Sequence, residues 1–260
     1  MADSLHTARR FLLEVCVDTA SGVKAAAGNG CDRIELCAAL AVGGLTPGPG
    51  LMRLAANCGV PGRAMIRPRA GDFTYSDDEV AIMRDDIRAA ADSGLAGVAL
   101  CVNTASGELD EGRLAPLVGL ARDLGLDVAL HRGFDLAGDA AAALETAVAM
   151  GVDTILSSGG ATAAAEGTAG LAGLVRAAHA GGFGPRIEIL AGGGVTALNA
   201  GDIVARSGVT ALHASCSLAP VAPTGHAAVL GYVAGRATDP ALVRALRDTL
   251  NAIESHNVLR

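Results

Sequence analysis

The strongest constraint on the fold is an alternation of short apolar segments with Ala- and Leu-rich segments, repeated eight times along the chain. The apolar segments have the length of strands, glycine-rich turns follow them, and the segments between them have helical periodicity. Strands that alternate with helices form a parallel sheet with the helices outside it. The predicted strands are Leu12–Val17, Arg33–Cys37, Arg63–Arg67, Gly97–Val102, Asp127–His131, Thr154–Ser157, Arg186–Ala191 and Ala211–Ser215.

Eight such units in 260 residues favour closure of the sheet into a (β/α)8 barrel, which typically needs about 250 residues. The alternative is an open doubly wound sheet that carries a dinucleotide. Such a site shows a G-x-G-x-x-G turn after the first strand, whereas residues 18–22 here read Asp-Thr-Ala-Ser-Gly. We therefore predict a single α/β TIM barrel domain over residues 1–260 and no nucleotide cofactor.

Glycines and N-cap residues delimit the helices between these strands. The predicted helices are Ser21–Gly28, Gly50–Cys58, Asp77–Ser93, Asp110–Leu124, Asp139–Met150, Thr168–Ala180, Ala197–Ser207 and Pro240–Glu254. One long connection, residues 217–238, precedes the last helix and contains proline and glycine. Because it lies on the barrel rim, we predict that it forms a lid or a partner contact.

Composition excludes several classes of function. The net charge is −7 and the chain has no run of Lys and Arg, so it lacks the clustered positive charge of a nucleic-acid-binding protein. No apolar run approaches the ~18 residues of a membrane helix, and the first residues do not resemble a signal peptide. Six cysteines in a chain of this length are not a disulfide scaffold. We expect reduced thiols and a cytoplasmic location.

Carboxylates and thiols recur together on the first two strands. Glu14 and Cys16 share one face of the first strand, and Glu35 and Cys37 share the equivalent face of the second. The opposite faces are aliphatic and would pack against the helices. The sequence therefore predicts that these four side chains point into the barrel interior.

Candidate acid–base residues follow from the position of active sites in such barrels, at the carboxyl-terminal ends of the strands. Glu14, Glu35, Arg67 and His131 fall at these ends, and His213 falls at a matching height on strand eight. Two neighbouring glutamates would raise one another's pKa unless a cation such as Arg67 lay between them. The functional interpretation is a general base beside an anion clamp; the alternative is a structural Glu–Arg–Glu network.

A glycine run after strand seven suggests an anion site, because loops after strands seven and eight often bind phosphate in these barrels. The predicted anion-binding residues are Arg69, Gly192, Gly193, Gly194 and Ser215. Thr196 would open a helix whose N-terminus favours negative charge. The alternative is a tight strand-to-helix turn, which needs glycine in any case.

Cys16 and Cys37 allow three interpretations. They are small core residues, since free Cys is often buried, or a redox pair, or a soft-metal site, because thiolates select Cu(I) and Zn. A C-x-x-C signature is absent, and the residues alone leave the three open.

A series of motifs, in order along the chain, resembles the CutC family. The motifs are Glu14–Asp18, Asp32–Cys37, Gly43–Pro47, Met65–Arg69, Gly71–Phe73, Tyr75–Ser76, His131–Arg132, Phe134–Asp135, Ser157–Gly160 and Gly192–Val195. The resemblance implies a cytoplasmic TIM barrel associated with copper homeostasis, a homo-oligomer (dimer or tetramer), and Cu(I) binding at Cys16 and Cys37, which match two cysteines proposed to take copper in a family member. The chain departs from the family pattern at Gly133 and Ser157, and the match ends at about Cys216.

Three hypotheses for function follow. The first is a copper-homeostasis protein that binds Cu(I) through Cys16 and Cys37. The second is a TIM-barrel enzyme that performs lyase, isomerase or hydrolase-type acid–base chemistry on a small anionic or phosphorylated metabolite. The third is a scaffold with a lapsed site that functions through its oligomer interface.

Overall fold

The computed structural model describes residues 11–183, 187–219, 224, 226–230 and 235–258. Strands β1 to β8 close into a parallel barrel in which each strand is hydrogen-bonded to the next and β8 to β1. The barrel strands are β1 Leu12–Val17, β2 Arg33–Leu36, β3 Gly62–Met65, β4 Gly97–Leu100, β5 Asp127–Leu130, β6 Thr154–Ser157, β7 Glu188–Gly192 and β8 Ala211–Ala214. The predicted barrel and its eight strands are confirmed; Arg186, predicted to begin strand seven, lies outside the described residues.

Helices cover the outside of the barrel. They are α1 Ala20–Ala27, α2 Pro49–Ala56, α3 Asp77–Asp92, α4 Glu111–Asp123, α5 Ala140–Met150, α6 Thr168–Ala180, α7 Ala200–Ser207, α8 His226–Val229 and α9 Pro240–Val258. Side-chain caps fix several starts: Ser76 and Glu79 form a reciprocal capping box at α3, and Asp139 caps α5. Among the described residues, each helix is either too short or too polar to cross a bilayer.

The two faces of β1 differ as the alternation predicts. Val15 and Val17 are fully buried in the large apolar core between the strands and the helices. Glu14 and Cys16 are also buried, but they point to the inside of the barrel. The apolar cluster inside the barrel is small, with Leu156, Leu190 and Ala211 packed against Leu12. The interior is therefore largely available to polar side chains.

A charged network fills the barrel below its carboxyl-terminal end. Arg33 donates from Nε to the Glu14 carboxylate and from Nη2 to Glu188 Oε1 at 2.6 Å. Arg63 lies with Nη1 3.6 Å from Glu14 Oε2 and donates from Nη2 to Thr154 Oγ1 at 2.9 Å. We call these five residues the barrel floor. The barrel floor thus occupies the interior on the side away from the carboxyl-terminal end.

The predicted rim segment, residues 217–238, is described only in part. Its two ends pair as short antiparallel strands, β9 Ser217–Leu218 and β10 Ala237–Thr238, and α8 lies between them. Residues 220–223, 225 and 231–234 lie outside the described residues. The lid or partner-contact role of this segment stays a prediction.

Candidate functional site

A cavity of about 400 Å³ opens at the carboxyl-terminal end of the barrel. Its walls come from the loops after β2, β5, β7 and β8 and from inward-facing strand residues, at the end where barrel sites are built. The lining residues are Cys16, Glu35, Leu40, Gly43, His131, Arg132, Leu156, Gly193, Gly194, Val195, His213, Ala214, Ser215, Ser217 and Arg236. We call this space the mouth cavity.

The structure brings some of the predicted site residues to the mouth cavity and leaves others outside it. The predicted residues on its wall are Cys16, Glu35, His131, Gly193, Gly194 and Ser215. The predicted residues that are not on its wall are Glu14, Cys37, Arg67, Arg69 and Gly192.

Glu14 belongs to the barrel floor and also touches the cavity wall through His213. Its Oε1 accepts a hydrogen bond from His213 Nδ1 at 2.8 Å. Burial acts to raise the pKa of Glu14, but Arg33, His213 and Arg63 outweigh burial and hold the pKa well below its usual value. Glu14 is therefore ionised and pairs with three cations. A carboxylate with such a low pKa is a weak base, so Glu14 is a poor candidate for a general base.

The interpretation that Arg67 neutralises the glutamate pair is wrong. Arg67 instead donates to the backbone carbonyls of Val42, Gly44 and Gly71 at 2.7–3.0 Å, and its guanidinium stacks over the Phe73 ring at 4.9 Å. The reason is that β3 ends at Met65, so Arg67 lies in the following loop and no longer follows the inward alternation of the strand.

Arg69 also lies outside the cavity. It pairs with Asp72 at 2.9 Å and with Glu79 at 2.5 Å, and it stacks over the Tyr75 ring. Arg69 thus stabilises the β3–α3 loop and the start of α3, and the structure does not place it where it would hold an anion in the mouth.

His213 is the site residue whose importance the sequence signals least. It is buried, and β8 brings it beside β1 because the barrel closes between these strands. Burial acts to lower its pKa, but Cys16, Glu35 and Glu14 outweigh burial and raise the pKa well above its usual value. The imidazole is consequently a cation between two carboxylates and a thiol.

Cys16, Glu35 and His213 form a group in which one potential ligand atom from each residue lies within 4.8 Å of the other two. The Nδ1 of His213 is bonded to Glu14, so Nε2 faces the cavity, 3.8 Å from Glu35 Oε2. A carboxylate that fixes the far nitrogen of a histidine is the common outer support of a metal-ligating imidazole. This buried group could hold a metal ion.

Cys37 is not a member of that group. It is fully buried, and its thiol donates to Glu35 Oε2 at 3.7 Å. Burial and the neighbouring Glu35 raise the pKa of the Cys37 thiol well above its usual value. Cys37 therefore contacts a residue of the cavity wall without being part of the wall itself, and it favours the protonated thiol.

Glu35 and His131 are the acid–base candidates that face the cavity. Burial raises the pKa of Glu35, helped by Glu14 and opposed by His213. Burial, with Arg67, His213 and Arg132, lowers the pKa of His131 to about 3. The buried Nδ1 of His131 has no hydrogen-bond partner among the described residues, so this neutral imidazole keeps a polar atom without a partner.

The predicted helix N-terminus at the glycine run needs a correction. The helix was predicted from Ala197, but α7 begins at Ala200. Thr196 N–H donates to Asn199 Oδ1 at 2.8 Å, and Asn199 Nδ2 donates to Gly194 O at 2.9 Å. The backbone N–H of Thr196, which was expected to donate to an anion, therefore donates to the side chain of Asn199 instead.

The fold and the site together define a TIM-barrel protein with a polar ligand site at its mouth. The CutC family model matches residues 11–218. A family protein CutC of Sinorhizobium medicae is 47% identical over 246 residues, which cover 94% of this chain and 98% of that protein. A family protein CutC of Caulobacter vibrioides is 47% identical over 209 residues, or 80% of this chain and 82% of that protein. The chain belongs to the CutC family.

Solved structures with the same barrel fold superpose on this chain. The crystal structure of CutC from Streptococcus agalactiae, a proposed copper homeostasis protein, superposes with a TM-score of 0.73 at 31% identity, and the match covers 79% of this chain and 98% of that one. Thiamine phosphate pyrophosphorylase from Pyrococcus furiosus superposes with a TM-score of 0.56 at 14% identity, over 94% of this chain and 98% of that one. The second likeness shows the fold alone.

Proposed function

We propose that this protein acts in copper homeostasis by binding Cu(I) in the mouth cavity, with Cys16 Sγ and His213 Nε2 as ligands and Glu35 as the third donor. The observation that supports the proposal is the convergence of these three donors within 4.8 Å. The proposed role of the Streptococcus relative in copper homeostasis also supports it. All six cysteines are free, in keeping with a reducing, cytoplasmic setting.

Two of the three donors suit this ion, and the third, the Glu35 carboxylate, is a harder oxygen ligand. Thiolate is a soft ligand that selects Cu(I) or Zn, and imidazole serves both metals. A ligating imidazole is neutral, so binding of the ion would release the Nε2 proton of His213 to solvent while Nδ1–H stays bonded to Glu14. Cys37 was the second ligand expected from the resemblance, and in the proposal it has an outer role, since its thiol is bonded to Glu35. Because Cys16 is on the wall of an open cavity, the ion would be reachable by an exchange partner.

Anaerobic competition titrations with a Cu(I) chelator test the proposal. Cys16→Ser and His213→Gln should each weaken Cu(I) binding by at least about tenfold, which is the loss expected for one ligand. Cys37→Ser should weaken it less, and Cys58→Ser, a half-buried cysteine away from the cavity, is the matched control. If Cys16→Ser and His213→Gln fold normally and keep the wild-type affinity, the copper site is not in the mouth.

The second candidate is an acid–base enzyme acting on a small anionic metabolite. The observation that favours it is that a carboxyl with a raised pKa, Glu35, and a neutral imidazole, His131, face one cavity. General acid–base catalysis needs a proton donor and a proton acceptor at one site, and in this candidate Glu35 is the donor and the neutral His131 imidazole is the acceptor. A screen of metal-free protein against metabolite mixtures, with His131→Asn as the inactive control, tests it. Turnover that requires added copper, or that survives in His131→Asn, would refute this candidate.

A further inference from the structure

Two arginines that the sequence did not assign flank the glycine run at the mouth. Arg132 uses Nε and Nη2 for contacts within the protein, to Asp135 and to Ser158 and its loop. Its Nη1 lies beside Gly193, 3.1 Å from the position that a Cβ would occupy there. No residue in the described part of the chain accepts a hydrogen bond from this Nη1. Arg132 therefore presents a held, cationic donor to the cavity.

Arg236 approaches the same region from the rim. It donates from Nε to Ser217 Oγ at 2.9 Å and from Nη2 to Ser217 O at 3.0 Å. Ser217 Oγ is in turn 2.9 Å from Ser215 Oγ. One hydrogen bond between two hydroxyls uses one of their two protons, so a hydroxyl donor remains beside the guanidinium.

Backbone donors complete the surface. Gly193 and Gly194 have φ values of 100° and 70°, a conformation that glycine adopts without strain. Among the described residues, none accepts a hydrogen bond from the N–H groups of Gly193, Gly194 or Ser215. Successive free backbone N–H groups beside cations form a typical anion-binding concavity.

We propose that Arg132, Arg236, Gly193, Gly194 and Ser215 form a subsite for the phosphate group of a small phosphate monoester. This inference extends the second candidate function and does not depend on copper. Phosphate matches the site because it accepts several charge-assisted hydrogen bonds at once, and the contacts at Nε and Nη2 hold each guanidinium in place with Nη1 left to donate. The remaining ligand would extend toward Glu35 and His131, which lie on the wall of the same 400 Å³ cavity.

Calorimetric titration of inorganic phosphate into the metal-free protein tests the subsite. The wild type should bind phosphate, and Arg236→Gln should weaken binding by about tenfold, as expected for a lost hydrogen bond to a charged group. Gly194→Ala should weaken it similarly, because it places a methyl group at a position with φ of 70°. Arg88→Gln changes an exposed arginine on α3 that pairs with Asp85; it is the control for loss of one positive charge and should not change binding.

Glu35→Gln separates this inference from the acid–base candidate, because it removes the proton donor and keeps every residue of the subsite, so it should abolish turnover without weakening phosphate binding. Circular dichroism checks that each variant is folded. Absence of phosphate binding to the wild type at millimolar concentration overturns the subsite. Equal weakening by Arg236→Gln and Arg88→Gln overturns it as well, since the effect would then reflect net charge.

Discussion

At the scale of single residues, two glutamates of the barrel interior, Glu14 in the barrel floor and Glu35 on the wall of the mouth cavity, have different surroundings. Burial acts on both, but at Glu14 the neighbouring Arg33, His213 and Arg63 outweigh it and lower the pKa, whereas at Glu35 burial prevails and the pKa is raised. The same residue type thus serves as a structural anion at one position and as a candidate proton carrier at the next.

The two carboxylates should respond differently to removal of their charge. Glu14→Gln leaves Arg33 and Arg63 buried without their shared anion, which we expect to cost about 3–5 kcal/mol of unfolding free energy. Glu35→Gln removes a charge that burial already disfavours, so it should change stability by less than about 1 kcal/mol. Urea denaturation of both variants measures the difference, and equal losses would contradict the assignment of Glu14 to the barrel floor.

His131 should make stability depend on pH. Its pKa falls from 6.5 to about 3 on folding, so between these values the unfolded chain binds a proton that the folded chain does not. Unfolding free energy should therefore fall as pH decreases from about 6.5 toward 3, by up to about 1.4 kcal/mol per pH unit. The slope should be shallower in His131→Asn and unchanged in His179→Asn, an exposed histidine on α6. A wild-type slope in His131→Asn would show that other groups set it.

At the scale of elements, the barrel depends on a close approach between α6 and the loop after β6. A Cβ on Gly170 would collide with the carbonyl oxygen of Gly159, and one on Gly167 with that of Ser158. These glycines let the helix lie directly on the loop that carries Ser158, the partner of Arg132. The position of Arg132 at the mouth therefore depends on the packing of a helix outside the barrel.

Two glycines of α6 offer a matched comparison. Gly173→Ala has open space, with only the tip of Arg176 at 4.0 Å, and should stabilise the protein by roughly 0.5–1 kcal/mol, the helix propensity difference. Gly170→Ala should destabilise it despite the same gain in propensity, because the new methyl group meets backbone. Urea denaturation curves decide, and a Gly170→Ala variant as stable as Gly173→Ala would contradict the close contact.

The elements were largely predictable, and the site was predictable only in part. Alternation with a period of two placed Glu14, Cys16 and Glu35 inside the barrel because strand geometry is local. His213 meets Glu14 across a separation of 199 residues, which only closure of the barrel determines. Arg67 was misplaced because it follows the end of β3, where the alternation no longer holds. The contribution of Arg236 depends on β9 and β10, which no motif indicated.

At the scale of the whole molecule, the last helix joins the two ends of the chain. Arg247 of α9 donates to the carbonyls of Gly30 and Phe11 and pairs with Asp32. This contact fixes the amino-terminal end of β1 and the turn before β2. The homo-oligomer implied by the family resemblance stays a prediction, to be measured by light scattering on the purified protein.

A ligand of the folded state should stabilise the whole barrel. If Cu(I) binds only when Cys16, Glu35 and His213 are assembled, free ion at 100 times its dissociation constant should raise the unfolding free energy by about 2.7 kcal/mol. Thermal melts at fixed, chelator-buffered Cu(I) measure this gain. The gain should be absent in Cys16→Ser and retained in Cys58→Ser; stabilisation that Cys16→Ser preserves would place the ion elsewhere.

Glu14 accepts from a floor arginine with one oxygen and from the mouth imidazole with the other. The charged network below the cavity and the candidate metal ligand His213 therefore depend on the same carboxylate. A substitution of Glu14 that alters ligand binding in the mouth cavity also removes the shared anion of Arg33 and Arg63. In evolution or in protein design, such a substitution must be accompanied by changes at these two arginines. We therefore expect natural substitutions of Glu14 to occur together with substitutions of Arg33 and Arg63, and not singly.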